Sequence, residues 1–466
     1  MSVPSPIVAT VREIIGAQYV LTDAVDTAPY LTDWRKSYTG VALAVVRPVT
    51  TEEVAKIVKA CVAANTPIVP QGGNTSMVGG SVPDTTGRAI VLSLNRMNRI
   101  RSIDTDNDTL IAEAGVILQN LQLAAANVGR LFPLSLGAEG SCTIGGNLST
   151  NAGGTNVLRY GNTRDLVLGL EVVTPSGEIW HGLSGLRKDN TGYDLKHWFV
   201  GAEGTLGIIT AASLKLFPQP QARAVAMLAV ASPAEAVKLL NRMKRAFADR
   251  LVGFELIARV CVELVLRHIP NTREPFANPH AWQVLVELND SRADAPIGEW
   301  MERELGEAIE SGEALDAVIA TSDAQIAELW RMREEITEGQ RLEGKNVKHD
   351  ISIPISRIPA FIEKCDAALI LAFPSISLVC FGHLGDGNLH YNCGIPAQGL
   401  ANSEAINKIV YDHVDEFGGS ISAEHGIGQL RREELTHRKS AVALEMMRQL
   451  KRALDPHNLM NPGKVI

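Results

Sequence analysis

Two histidines, His383 and His390, bracket a short stretch of Gly, Asp and Asn (residues 384–388) that is too turn-prone for a helix. Ile376, Leu378, Val379 and Phe381 precede His383, and Leu389 and Tyr391 flank His390. The pattern therefore predicts strand, tight loop, strand, with both imidazoles presented at one end. A third metal ligand is offered by Glu424, which stands beside His425 between the small residues Ala423 and Gly426. Two imidazoles and a carboxylate suit zinc, or manganese or cobalt, with positions left open for substrate, and His425 then remains as a base. Any one of these histidines alone is more simply a loop residue. Two around a Gly-Asp-Gly turn, with Glu-His downstream, favour the site.

A second constellation suits an anion. Arg333 and Thr337 are four residues apart in the helical pattern beginning at Ser322, hence on one face, and Lys348 comes from a strand predicted at 347–353. Together they suit a carboxylate. The competing reading pairs Arg333 with Glu334 or Glu338 on a solvated face.

Three glycine-rich segments suggest a larger ligand. Residues 70–80 carry four glycines with Asn74, Thr75 and Ser76, so that backbone N–H groups can converge as a pyrophosphate requires, although this is not the Gly-x-Gly-x-x-Gly spacing of a Rossmann unit. Residues 133–154 are rich in Gly, Ser, Thr and Asn, a surface for close approach to a large flat ligand rather than a core. Residues 201–210 repeat the composition before a strand. Three such segments converging on one ligand suit an extended dinucleotide such as FAD.

The elements that position these groups read as two domains and a tail. An apolar run at 42–46 precedes a capping box, Thr50 to Glu53, that opens a helix burying Val54, Ile57, Val58, Cys61 and Val62. Strands follow at 68–69, 89–94, 99–103 and 109–113, a helix at 116–127, and a hairpin at 166–173 and 178–181. Pro218 to Gln221 marks a boundary. Beyond it lie strands at 224–231, 254–257, 282–288 and 317–320, with helices starting at Ser232, Pro296 and Ser322, a split pattern expected to give an antiparallel, ferredoxin-like sheet. A helix through Met446, Leu450 and Leu454 leads to an apolar tail, 459–464, expected to dock back on the first domain. The expected domains are 1–218, 219–426 and 427–466.

The 466 residues are 45% hydrophobic and 21% charged, ordinary globular material, and the formal net charge of -8 argues against nucleic acid or anionic lipid as a partner. Residues 1–6 show no leader pattern, and the longest apolar runs, such as 367–373, are too short to span a bilayer. Six cysteines without a Cys-x-x-Cys argue against an iron–sulfur cluster or a disulfide framework and fit a reducing compartment, so a cytoplasmic protein is expected.

Taken in order, residues 71–75, 145–147, 188–194, 201–207, the His383 to His390 loop, 423–426 and Asn461-Pro462 resemble the FAD-linked D-2-hydroxyacid dehydrogenases over nearly the whole chain. The resemblance implies an α+β protein: a vanillyl-alcohol-oxidase-type FAD-binding domain of two α/β subdomains, an antiparallel-sheet cap and a C-terminal helical segment. It implies FAD contacts at Pro70, Gln71, Gly72, Gly73, Asn74, Thr75, Ser76, Met77 and Val78. Further contacts are implied at Pro133, Leu136, Gly137, Gly140, Ser141, Ile144, Gly145, Gly146, Asn147, Thr150, Asn151, Gly153 and Gly154, then at Glu203, Gly204, Gly207, Ile208, Ile209 and Asn461. It gives the metal to His383, His390 and Glu424, the general base to His425, and the substrate to Arg333, Thr337, Lys348, Asn392 and His425. Ser76 stands where Gly is frequent in the family. Some branches tether flavin through a His in the first glycine-rich loop; residues 70–80 hold neither His nor Cys, so non-covalent FAD is expected.

The implied reaction is metal-dependent oxidation of a D-2-hydroxyacid by hydride transfer to flavin N5. D-2-hydroxyglutarate is the first expectation for substrate, ahead of D-lactate, D-malate or glycolate. Electrons would pass to an electron-transfer flavoprotein or a quinone, and a homodimer is compatible. The competing readings from other classes are a metal-dependent hydrolase without flavin and a non-catalytic flavin-binding module.

Overall fold

In the computed structural model, which describes residues 5–395 and 400–466, the capping box opens the helix Thr51–Ala63. Thr50 accepts the Glu53 N–H at 3.1 Å and Glu53 accepts the Val49 N–H at 2.7 Å, so two otherwise orphaned donors are satisfied. The helix buries Val54, Ile57, Val58 and Cys61 and connects Ala42–Val46 to Ile68–Gln71. A helical crossover of this kind is what parallel pairing needs, and both strands run parallel to Ala89–Ser93. Val20–Leu21 completes this four-stranded sheet. A second, antiparallel sheet has the order Ile100–Asp104, Thr109–Glu113, Ile208–Lys215, Val167–Val173, Ile179–Gly182. After the helix Ala441–Leu454, the chain lies beside the first sheet: Ile68 N–H donates to Leu459 O at 2.8 Å and Asn461 N–H to Ile68 O at 2.7 Å. These parts, residues 1–152, 162–218 and 424–466, form one unit.

Residues 153–161 and 219–423 form the other. Its sheet has seven strands in the order Asp316–Ile319, Ala222–Val230, Trp282–Asp290, Leu251–Ala258, Ser377–His383, Asn388–Gly394, Asp350–Ser352, with every neighbouring pair antiparallel. The sheet is larger than the ferredoxin-like arrangement expected. Its central strand, Leu251–Ala258, pairs directly with Ser377–His383, so the histidine hairpin extends the sheet rather than standing apart from it. All eight residues of Leu251–Ala258 are buried, which means both faces of this strand are covered.

The helix expected at 322–340 is two helices, Asp323–Glu334 and Ile336–Glu343, interrupted at Glu335. The second is drawn tight against Arg259–His268: a Cβ on Gly339 would lie 3.2 Å from the Leu264 backbone. Arg333 and Thr337 therefore belong to different helices and do not share one helical face. No described helix is long and apolar enough to cross a membrane. The six cysteines are free and buried. The leader-free reading of the N-terminus falls largely on residues 1–4, outside the described residues.

Candidate functional site

In the second unit, strand register builds the site. Glu255 stands opposite His383, Phe381 opposite His390, and His390 opposite Asp350. Because side chains alternate with period two, Phe381 and His383 share a face, and each cross-strand partner shares it too. The two imidazoles meet at 5.7 Å between ring centroids, edge to face. The same register, with Val347 opposite Cys393, places Lys348 across from Asn392, two residues beyond His390 on the same face. The tight loop between the histidines needs Gly387, which adopts φ 92° and whose Cβ would lie 2.6 Å from Ile353 O. Asp386 holds that loop by accepting the Asn388 N–H at 3.0 Å, and burial pushes its carboxyl up to about 6 despite the nearby His383.

Glu255, 1% exposed, is the group that sequence reasoning missed. Its Oε1 lies 2.6 Å from His383 Nδ1 and its Oε2 accepts from Arg333 Nε at 2.7 Å. Burial by itself raises a carboxyl, but the charges of His383 and Arg333 outweigh it and hold Glu255 at about 2. An ionised carboxylate only accepts, so Nδ1 of His383 carries a proton, and Nε2 is the ring nitrogen that would give up its proton to hold a metal. Arg333 is buried and its guanidinium also lies 4.8 Å from the Phe381 ring centre. It does not point into solvent, which removes the surface ion-pair reading. An acidic residue inside the apolar run 251–258 was the available signal.

The other sequence-derived residues of this unit are placed as follows. Asn392 is buried; its Oδ1 accepts the His349 N–H at 3.1 Å and its Nδ2 donates to Gln340 Oε1 at 2.9 Å. Thr337 lies on the short helix Ile336–Glu343 and is exposed. His390 Nδ1 is 3.9 Å from Asp350 Oδ1, and Asp350 is itself held by Asn388 Nδ2 at 3.0 Å. Ala423 N–H donates to Asp350 O at 3.1 Å. Glu424 and His425 follow it directly in the chain.

The first unit gathers the glycine-rich segments. Residues 70–80 lie against 141–143: a Cβ on Gly73 would sit 2.1 Å from Ser141 O. Much of the side-chain polarity of this loop fixes the loop itself. Gln71 Nε2 donates to Tyr30 O and Ser81 O at 2.9 and 2.8 Å, Asn74 Nδ2 donates to Thr32 O at 2.8 Å, and Ser76 Oγ accepts the Gly80 N–H at 3.1 Å. The second segment, read as an open surface, contains a short helix, Ile144–Thr150, that buries Ile144, Asn147 and Leu148. The third packs on it, with Gly201 N–H on Leu148 O at 3.0 Å and Glu203 N–H on Ser149 O at 2.7 Å. Asn461 Nδ2 donates to Gly80 O at 3.0 Å and to Glu203 O at 2.8 Å, tying the first and third segments to the tail.

Glu203 presents its carboxylate to the Ile427 and Gly428 N–H groups at 2.7 and 2.8 Å, and burial raises its pKa above the ordinary carboxyl value. Its side chain therefore orders the turn that follows Glu424-His425. Among the described residues, Thr143 Oγ1 and Asn461 Oδ1 are buried without a hydrogen-bond partner. Unpaired polar atoms in converging glycine-rich segments fit a cofactor that supplies hydrogen bonds of its own.

The chain matches the family described as FAD linked oxidases, C-terminal domain, over residues 219–465, and FAD binding domain over residues 42–182. The mitochondrial D-2-hydroxyglutarate dehydrogenase of Arabidopsis thaliana is 38% identical over 465 residues, covering 100% of this chain and 82% of that protein. D-2-hydroxyglutarate dehydrogenase of Xanthomonas citri pv. viticola is 38% identical over 469 residues, covering 99% and 97%. The solved structure of p-cresol methylhydroxylase with substrate bound superposes with a TM-score of 0.75 at 18% identity, over 98% of this chain and 96% of that one, which shows a shared vanillyl-alcohol-oxidase-type fold. With glycine-rich segments assembled in one unit and a His/Glu/Arg row in the other, the chain belongs to the FAD-linked D-2-hydroxyacid dehydrogenase family and is an FAD-dependent dehydrogenase.

Proposed function

We propose that the protein oxidises D-2-hydroxyglutarate to 2-oxoglutarate with FAD and a divalent metal, most simply zinc. The observation that carries the reading is the single sheet face on which Glu255, His383, His390 and Asn392 stand in register, with Arg333 gripped by Glu255. The metal assignment to His383, His390 and Glu424 is supported by the donor set and, within the second unit, by the His383 and His390 rings that meet edge to face and by the Glu255 carboxylate that orients His383.

When bound, FAD supplies a two-electron acceptor at N5 for the hydrogen on the substrate's Cα, and the cation supplies Lewis acidity at the α-hydroxyl. The chain's own residues do the rest. Arg333 and Lys348 bind the carboxylates as cations, with Thr337 and Asn392 as neutral hydrogen-bonding groups. His425 takes the hydroxyl proton on its imidazole, so the alcohol loses one proton to the protein and one hydride to the cofactor. The electrons that FAD accepts would go on to an electron-transfer flavoprotein or a quinone.

The test is anaerobic bleaching of the flavin by a panel of D- and L-2-hydroxyacids. D-2-hydroxyglutarate should bleach it fastest, and L-enantiomers should not. Preference for D-lactate, D-malate or glycolate would reassign the substrate within the family.

A further inference from the structure

Glu255 is buried in the middle of a sheet and touches two groups that the reaction uses for different purposes. One carboxylate oxygen meets His383 Nδ1 and the other meets Arg333 Nε. The two contacts join residues 128 and 78 positions away in the chain. A neutral polar residue of the same size could serve either partner alone. A carboxylate in so dry a place is expensive to bury unless both sides neutralise it, and here a guanidinium and an imidazole N–H do so together.

Resting on the function proposed above, we infer that Glu255 is a positioning residue that sets the metal ligand and the substrate clamp from one carboxylate. On one side it fixes the His383 ring and tautomer, directing the Nε2 lone pair to the cation and raising its basicity. On the other it grips Arg333 through Nε rather than through the terminal amino groups, orienting the planar fork for a substrate carboxylate. Metal affinity and recognition of the second carboxylate of a dicarboxylic hydroxyacid are thereby coupled. Loss of the Glu255 charge should disturb both, although Glu255 meets neither ligand in this assignment.

The experiment compares Glu255→Gln, Glu255→Asp, Arg333→Ala and His390→Ala as FAD-loaded, full-length proteins. Zinc affinity is read by chelator competition, and KM and kcat are read at saturating zinc with D-2-hydroxyglutarate and with D-lactate. Glu255→Gln should keep its fold and flavin, bind zinc ~10–100-fold more weakly, and raise KM for D-2-hydroxyglutarate about 10-fold, with a smaller change for the monocarboxylate. Arg333→Ala should show the KM change without a comparable loss of zinc. Glu255→Asp is one methylene short of spanning both partners and should lose one effect more than the other.

His390→Ala separates the two levels of argument. If it leaves zinc affinity unchanged, the metal assignment itself fails. If it loses zinc while a folded Glu255→Gln keeps both zinc affinity and the parent's KM ratio, the positioning role alone is overturned. Unfolding of both Glu255 variants also overturns it, because the carboxylate would then be needed for the fold and nothing more.

Discussion

Asn461 and Glu203 are joined through the backbone, with Asn461 Nδ2 donating to the Glu203 carbonyl at 2.8 Å. Since the same amide also donates to Gly80 O, one side chain near the end of the chain holds two glycine-rich segments at a fixed separation. Glu203 answers from its side chain, which receives two N–H groups of the 427–428 turn.

Asn461→Ala should destabilise the protein by about 2–3 kcal/mol, because it strands two carbonyls in a buried setting. The flavin content of the purified variant should fall in parallel. Thermal melting, read alongside flavin absorbance per chain, checks both.

Lys464 gives a pH signature. It is 3% exposed, and burial, only partly offset by Asp84, lowers its pKa to about 8. Below about pH 8 both folded and unfolded chains carry the proton, so folding bears the full penalty of a buried ammonium, about 3 kcal/mol. Between about pH 8 and the ordinary lysine value of about 10.4 the unfolded chain binds more protons, so this site's contribution to stability rises with pH. Lys464→Met should therefore raise the urea midpoint at pH 7, and the gain should have largely vanished at pH 10.

Treatment with a chelator should abolish turnover while leaving FAD bound, since the proposed metal ligands lie outside the glycine-rich segments. Added zinc should restore activity. Full turnover in a preparation shown to be metal-free would remove His383, His390 and Glu424 from the mechanism.

His425→Ala should retain zinc and FAD yet reduce its flavin ~10²–10⁴-fold more slowly with substrate. Added imidazole should recover part of the rate. If the variant loses zinc along with activity, His425 is a ligand rather than the base.

Acid or heat precipitation should release the flavin into the supernatant, because residues 70–80 contain neither His nor Cys and Cys142, in the second segment, is buried with its thiol pKa raised by desolvation. Yellow colour remaining with the pellet would show a covalent link.

Local structure followed from local signals. Thr50 and Ser232 each cap a helix as their spacing to Glu53 and Glu235 implies. The alternation around His383 and His390 gave a hairpin with both imidazoles in reach of each other. The glycine-rich segments pack against one another as their composition suggested, although the second folds into a short helix that buries Ile144 and Leu148. These readings succeeded because caps, turns and periodicity act over a few residues.

Tertiary structure decided the partners. Nothing local to Glu255 shows that it faces His383 and Arg333; strand pairing and the helix break at Glu335 determine that. Nor does composition show that Glu203 orders the 427–428 turn, 224 and 225 residues away, or that Asn461 bridges two loops. A buried polar group takes whichever partner the packed chain brings within hydrogen-bonding distance, and that choice is made by long-range pairing of strands rather than by neighbours in sequence.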